Sequence, residues 1–166
     1  MLDIKPFKQT DDSRCGPACV KMALSYYGIE ASEDELCKLC NHTYEHGCDD
    51  NGMINALHHF GLKTEIKNFA TIEDLKLAID NKFPILVDWF STNVGHESIV
   101  VAVDNTYVTL LDPDIGHHRL FPLDLWMQIW FDWRGGNSQY ISTWEDMVIR
   151  QMIVVKPKDN TTNILS

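Results

Sequence analysis

Cys15 stands in Gln9-Thr10-Asp11-Asp12-Ser13-Arg14-Cys15-Gly16-Pro17-Ala18-Cys19, at the head of an apolar stretch, where a thiol can act as a nucleophile. On the first turn of a helix it meets the positive end of the helix dipole, which favours the thiolate, the form that attacks a carbonyl carbon. Other residues complete the constellation. His96, after Asn93-Val94-Gly95, opens a later apolar run and is placed to take the thiol proton and return one to a leaving group. Asp112, just before Pro113, closes the next run and supplies a carboxylate that fixes the imidazole tautomer and stabilises the imidazolium. Gln9 can aim its amide N–H at a tetrahedral oxyanion, with the Cys15 backbone N–H as second donor. The chemistry that suits this set is attack on an amide or other acyl group.

These side chains need elements to hold them. Between Cys15 and Tyr27 only Lys21 and Ser25 are charged or strongly polar, and they share one face; Gly28 supplies a left-handed stop. The pattern predicts a buried helix with Cys15 at its start and Pro17 tolerated in the first turn. Ser32-Glu33-Asp34-Glu35 predicts a capping box and a short helix through Cys40. Asp50 or Asn51 is expected to cap a helix with Met53, Leu57 and Phe60 on one face, and Thr71 to begin another with Ile72, Leu75 and Ile79 inward. The period then changes. Residues 83–89, 97–103 and 107–111 are short runs rich in β-branched and aromatic residues, the signature of strands. Counting back from the turn at Asp104-Asn105-Thr106 sets His96 and Asp112 across one antiparallel pair or its diagonal, about 5–8 Å apart. Pro122 to Phe131 reads as a helix, Trp133 to Asn137 as a loop and Met152 to Lys156 as a closing strand. The fold class is α+β, with N-terminal helices packed on a C-terminal antiparallel sheet: one domain over residues 1–157, then a flexible tail over 158–166.

Composition excludes several classes. A chain of 166 residues with 45% hydrophobic content suits one domain with a sizeable core. Its formal charge of −10 opposes nonspecific binding to nucleic acid or anionic lipid and mildly favours basic partners. No charged leader opens it and no long apolar run spans a membrane, so stable membrane insertion is not expected and the default compartment is the cytoplasm. Five cysteines, an odd number, fit free thiols rather than a disulfide framework.

The pattern resembles the papain-like bacteriocin-processing peptidases, which cut double-glycine leaders and are often fused to export transporters. Gln9 with Cys15-Gly16-Pro17-Ala18-Cys19, Tyr26-Tyr27-Gly28, Gly95-His96 entering an apolar strand, and Asp112-Pro113 carry the resemblance, over roughly Ile4 to Trp133. Glu97 departs from it, standing where an aromatic or aliphatic residue usually follows the histidine. The resemblance implies a papain-like cysteine peptidase fold, a Cys15–His96–Asp112 triad and Gln9 in the oxyanion hole. It further implies a precursor with a helical leader as substrate, an export transporter as a candidate partner, and no cofactor. An acyl-thioester resolved by an amine instead of water would make the same triad a transpeptidase, and attack on a side-chain amide a deamidase. The other class is a non-catalytic leader-binding module, against which the presence of Cys15 argues.

Other groups have plainer readings. Cys37, Cys40, His42, His46 and Cys48 have a zinc-like Cys-X2-Cys start, but Cys37 and Cys40 fall inside an expected helix and the usual distant second pair is missing. The chain is therefore expected to need no metal. Cys19 reads as helix packing, Trp126, Trp130, Phe131 and Trp133 as core, and His58-His59 and His117-His118 as polar surface pairs.

Overall fold

The computed structural model describes residues 1–91, 94–133 and 143–158, with backbone alone at Val94. Asn93, the loop residues Arg134 to Asn137 and positions 159–166 of the expected tail lie outside the described residues. Helices α1 (Cys15–Tyr26), α2 (Glu33–Leu39) and α3 (Asp50–His59) come first, followed by β1 (Lys63–Lys67) and α4 (Ile72–Asp80). Then come β2 (Ile85–Ser91), β3 (Val94–Val103), β4 (Tyr107–Asp112), β5 (His117–Pro122), α5 (Leu123–Ile129), β6 (Phe131–Trp133), β7 (Met147–Ile149) and β8 (Met152–Lys156). The main sheet is antiparallel in the order β1-β8-β2-β3-β4-β5, and β6 pairs with β7 separately. This is the α+β arrangement expected, with early helices against a later sheet.

α1 is the central helix. Gly16 to Val20 and Met22 to Leu24 are buried, and Gly28 ends the segment at φ +73°. Its apolar side meets a core that includes Ile99, Val100 and Val101 of β3 and Leu110 of β4, all fully buried. Each such aliphatic side chain contributes about 1.5–3 kcal/mol relative to exposure.

Local signals shifted in places. The cap of α3 is Asp49, whose Oδ1 accepts from Gly52 N at 2.7 Å; Asp50, expected as the cap, is already in the first turn. Ser32 caps α2 by accepting from Glu35 N at 3.2 Å, while complete reciprocal boxes fall at Thr71 and Asp74 on α4 and at Thr143 and Asp146. The helix expected through Phe131 stops at Ile129, because the backbone opens at Trp130 and Phe131 pairs with Ile149 across β6 and β7. Trp133 therefore lies in a strand rather than a loop. Trp126 and Trp130 are core residues as expected, whereas Phe131 and Trp133 are only half-buried.

Besides β6 and β7 of the small sheet, two strands had no forerunner in the sequence: β1 and β5, the two edges of the main sheet. Their segments, Lys63-Thr64-Glu65-Ile66-Lys67 and His117-His118-Arg119-Leu120-Phe121-Pro122, are too polar to show an inward face. Edge strands carry charge and proline to block further pairing, which removes the alternation that reveals a strand. The histidine pair His117-His118 is thus part of β5, with His117 opposite Asp112.

Candidate active site

The segment leading into α1 is tied down from several directions. Asp11 Oδ1 accepts from Ser13 N at 2.9 Å and Ser13 Oγ at 2.6 Å, and its backbone carbonyl accepts from Gln9 Nε2 at 2.8 Å. Arg14 Nε lies 2.7 Å from Asp11 Oδ2, and its Nη1 reaches Glu33 at 3.2 Å and Asp34 at 2.8 Å, so the loop is docked on α2. Gln9 is anchored at its backbone as well, donating to Pro113 O at 2.9 Å. Gln9 thus connects the loop before Cys15 to the turn after Asp112. Its side chain is buried and its Oε1 has no hydrogen-bond partner among the described residues. α1 itself begins without a side-chain cap at Arg14, which leaves the first N–H groups of the Cys15 turn uncommitted to any side chain.

His96 sits near the start of β3, next to this helix end. Its Nε2 is 2.7 Å from Asp112 Oδ1, which leaves Nδ1 as the ring nitrogen free for the thiol. Burial by itself would lower the His96 pKa, but its hydrogen bonds to Asp112 and Cys15 outweigh it and the value is pushed up to about 10. Burial would likewise raise Asp112, yet the His96 bond and charge, the Asp114 N–H and Arg119 hold its carboxyl below the ordinary range. Asp112 is fixed by its own turn: Oδ1 also accepts from Asp114 N at 2.9 Å, and Gly116, at φ +65°, donates back to the Asp112 carbonyl. Trp89 closes the other side of the imidazole, edge-on at 5.4 Å, and its own Nε1 donates to Ser98 Oγ at 3.0 Å. The structure therefore brings together Cys15, His96 and Asp112, while Gln9 is anchored to the turn after Asp112 by its backbone and donates its side-chain N–H to the Asp11 carbonyl.

Arg119 is the member that the sequence reading missed. Its Nε lies 2.8 Å from Asp112 Oδ2 as an ion-pair contact without hydrogen-bond direction, and its guanidinium rests 5.6 Å from the Trp89 ring. β5 places it on the Asp112 face, diagonal to that residue across the β4–β5 pair. Alternation counted onward from Asp112 through the short turn was the signal that pointed to it.

The remaining thiols are elsewhere. Cys19 is fully buried and burial pushes its pKa well up, which suits packing and not a resolving role. Cys37 is raised, chiefly by burial, and Cys48 by its bond to Cys40 and then by burial. His42 is engaged with Ser13, at 2.9 Å from its Oγ and 3.0 Å from its carbonyl. Among the described residues no group of three His, Cys, Asp or Glu has the geometry to hold a metal ion.

A family model described as the Peptidase_C39 like family matches residues 1–135. The chain belongs to the peptidase C39-like family. Among curated proteins, this C39-like chain is 29% identical over 127 residues to an uncharacterized protein of Methanothermobacter marburgensis, covering 72% of this chain and 84% of that one. Among solved structures it shares the fold of the peptidase domain of Streptococcus ComA, a bifunctional ABC transporter involved in quorum sensing. The TM-score is 0.71 at 20% identity, over 93% of this chain and 98% of that one. A double-glycine motif protease from an AMS/PCAT transporter, solved with its leader peptide, matches with TM-score 0.71 at 18% identity, over 94% of this chain and 93% of that one. The C39 peptidase-domain fold expected from the motifs is the fold observed.

Proposed function

We propose that the chain is a cysteine peptidase that cuts a precursor after a small-residue leader end. Cys15 is the nucleophile, His96 the proton carrier, Asp112 its orienter, and Gln9 with the Cys15 N–H the oxyanion donors. The observation that carries this reading is His96 bridging Cys15 and Asp112, with Nε2 on the carboxylate and the thiol as its other partner. An imidazole that keeps its proton to about pH 10 stands as imidazolium at neutral pH, ready to protonate the departing amine once the thiolate has attacked. The uncapped start of α1 supports an oxyanion there, since free helix N–H groups favour negative charge. The substrate is a peptide whose leader forms an amphipathic helix, and the chain works in the cytoplasm with an export transporter as partner. The ComA and AMS/PCAT likenesses and the family support the leader-processing class.

A peptide series of graded length tests the substrate. Peptides carrying only the cleavage site are expected to be cut poorly, and adding the upstream amphipathic segment to raise kcat/KM, because remote binding energy is spent at the reacting centre. With a net charge of −10, the gain from basic leader residues is expected to shrink as salt rises. Short peptides with bulky residues at the cleavage point, cut as fast as the long ones, would overturn the leader-processing reading.

Arg119 gives a pH test. Its charge helps hold the Asp112 pKa down, so removing it raises that pKa, and Asp112 protonates at a higher pH and releases His96 sooner on acidification. The acid limb of kcat/KM is therefore expected to move to higher pH in Arg119→Gln and to return toward wild type in Arg119→Lys, which restores the charge but not the planar guanidinium. An unshifted acid limb in Arg119→Gln would show that the contact is only structural.

A further inference from the structure

The mechanism above leaves unused a group of carboxyls beside the thiol. Asp88 of β2 and Glu97 of β3 are cross-strand partners, so their side chains share a face, the one opposite to that of His96. Gly95 lies two residues before Glu97 on the same face, and its missing side chain makes room for Asp132 of β6. A Cβ on Gly95 would stand 2.3 Å from both Asp132 carboxylate oxygens. Glu97 forms the floor: it is 3% exposed and its Oε1 has no hydrogen-bond partner among the described residues. Asp88 and Asp132 beside it are half-buried. Among the described residues no Lys or Arg makes an ion pair with any of these three.

The crowding has electrostatic consequences. Burial, then the neighbouring charge of Asp88, Asp50 and Cys15, pushes Glu97 well above the carboxylate range. Burial, with Asp50 and Asp132 nearby, brings Asp88 to about 7, and burial with Asp50 brings Asp132 to about 6. Such a cluster takes up protons or a cation. An aromatic wall stands beside it: Phe90, two residues from Asp88 and opposite Gly95, is half-buried and held by a stack on Phe131 at 5.2 Å and by Trp133 at 5.5 Å. Clustered carboxyls with a partly exposed ring on the same face match an alkylammonium or guanidinium on an aliphatic stem.

We propose that Asp88, Glu97 and Asp132, walled by Phe90, form a subsite for a Lys or Arg side chain of the peptide close to the scissile bond. The proposal rests on the peptidase reading given above. It assigns to the chain a preference for one basic residue near the cleavage point, distinct from the recognition of a remote leader.

The test uses peptides that differ only in Lys or norleucine at each position flanking the scissile bond, with the full chain as enzyme. At one position the wild type is expected to favour Lys about tenfold in kcat/KM, a size ordinary for a close charge pair. In Asp88→Asn and separately in Asp132→Asn, the members that carry charge near neutrality, that ratio is expected to fall toward one. The ratio is internal to each variant, so a loss of active enzyme through misfolding does not mimic it, and the second variant answers for the first should it not fold. Cleavage with a Lys-to-norleucine ratio near one at every position in the wild type would overturn the subsite while leaving the peptidase reading intact. If no peptide is cleaved, the peptidase reading fails instead, and calorimetric binding of the same peptides decides the subsite. Tighter binding of a Lys peptide that is lost in Asp132→Asn supports it, and equal binding of Lys and norleucine peptides overturns it.

Discussion

Cys15→Ala is expected to leave no measurable turnover, and His96→Ala to lose roughly 10⁴-fold or more, because the members of such a unit fail together. Both variants should fold. Cys15 is only partly buried, and His96 lies at the outer end of β3, so neither removal opens a large cavity in the core around Ile99 and Leu110. Thermal melting close to wild type, beside absent cleavage, would separate chemistry from folding. An alkylating reagent should mark Cys15 first in the wild type: Cys19 and Cys40 are buried, and Cys37 and Cys48 have raised pKa values that keep them as thiols. Equal labelling of all five thiols at neutral pH would count against an activated nucleophile.

Gln9→Ala is expected to lower kcat by about 10²–10³, with kcat/KM falling in parallel, since an oxyanion donor acts when the tetrahedral species forms. Gln9→Glu keeps the size but loses the N–H donors and should fall as far. In either variant the backbone bond from residue 9 to the Pro113 carbonyl can persist, so the Asp112 turn keeps its neighbour. A Gln9→Ala enzyme that retains its kcat but shows a higher KM would assign the amide to substrate binding rather than to the oxyanion.

The outline of both fold and site was legible where a local signal coincides with a global role. The α1 segment reads as a buried helix because it is apolar nearly all round, and it is buried nearly all round. His96 and Asp112 were joined by counting across one hairpin, and they meet at 2.7 Å. The illegible parts were those in which the local sequence answers to a distant partner. β1 and β5 are polar because they are edges, so nothing in their own pattern announces a strand. Arg119 reads as surface charge until β5 carries it to the buried Asp112. The carboxyls Asp88, Glu97 and Asp132 are far apart in sequence, and only the β2–β3 register and the crossing of β6 over Gly95 collect them.

Arg14 stands where most helices would place a serine, threonine, asparagine or aspartate, and that choice sets a trade between durability and turnover. A capping side chain there would add roughly 0.5–2 kcal/mol to the fold by occupying the Gly16 N–H, Pro17 having none. On the proposed peptidase reading that N–H adjoins the Cys15 N–H assigned to the oxyanion, so a cap drawn onto it would crowd the reacting oxygen. The loop is held instead by ion pairs from Arg14 to Asp11, Glu33 and Asp34. On the proposed reading firmness is recovered by these pairs and the helix end is left open to the substrate, which makes position 14 one where a search for more stable variants is expected to select against turnover.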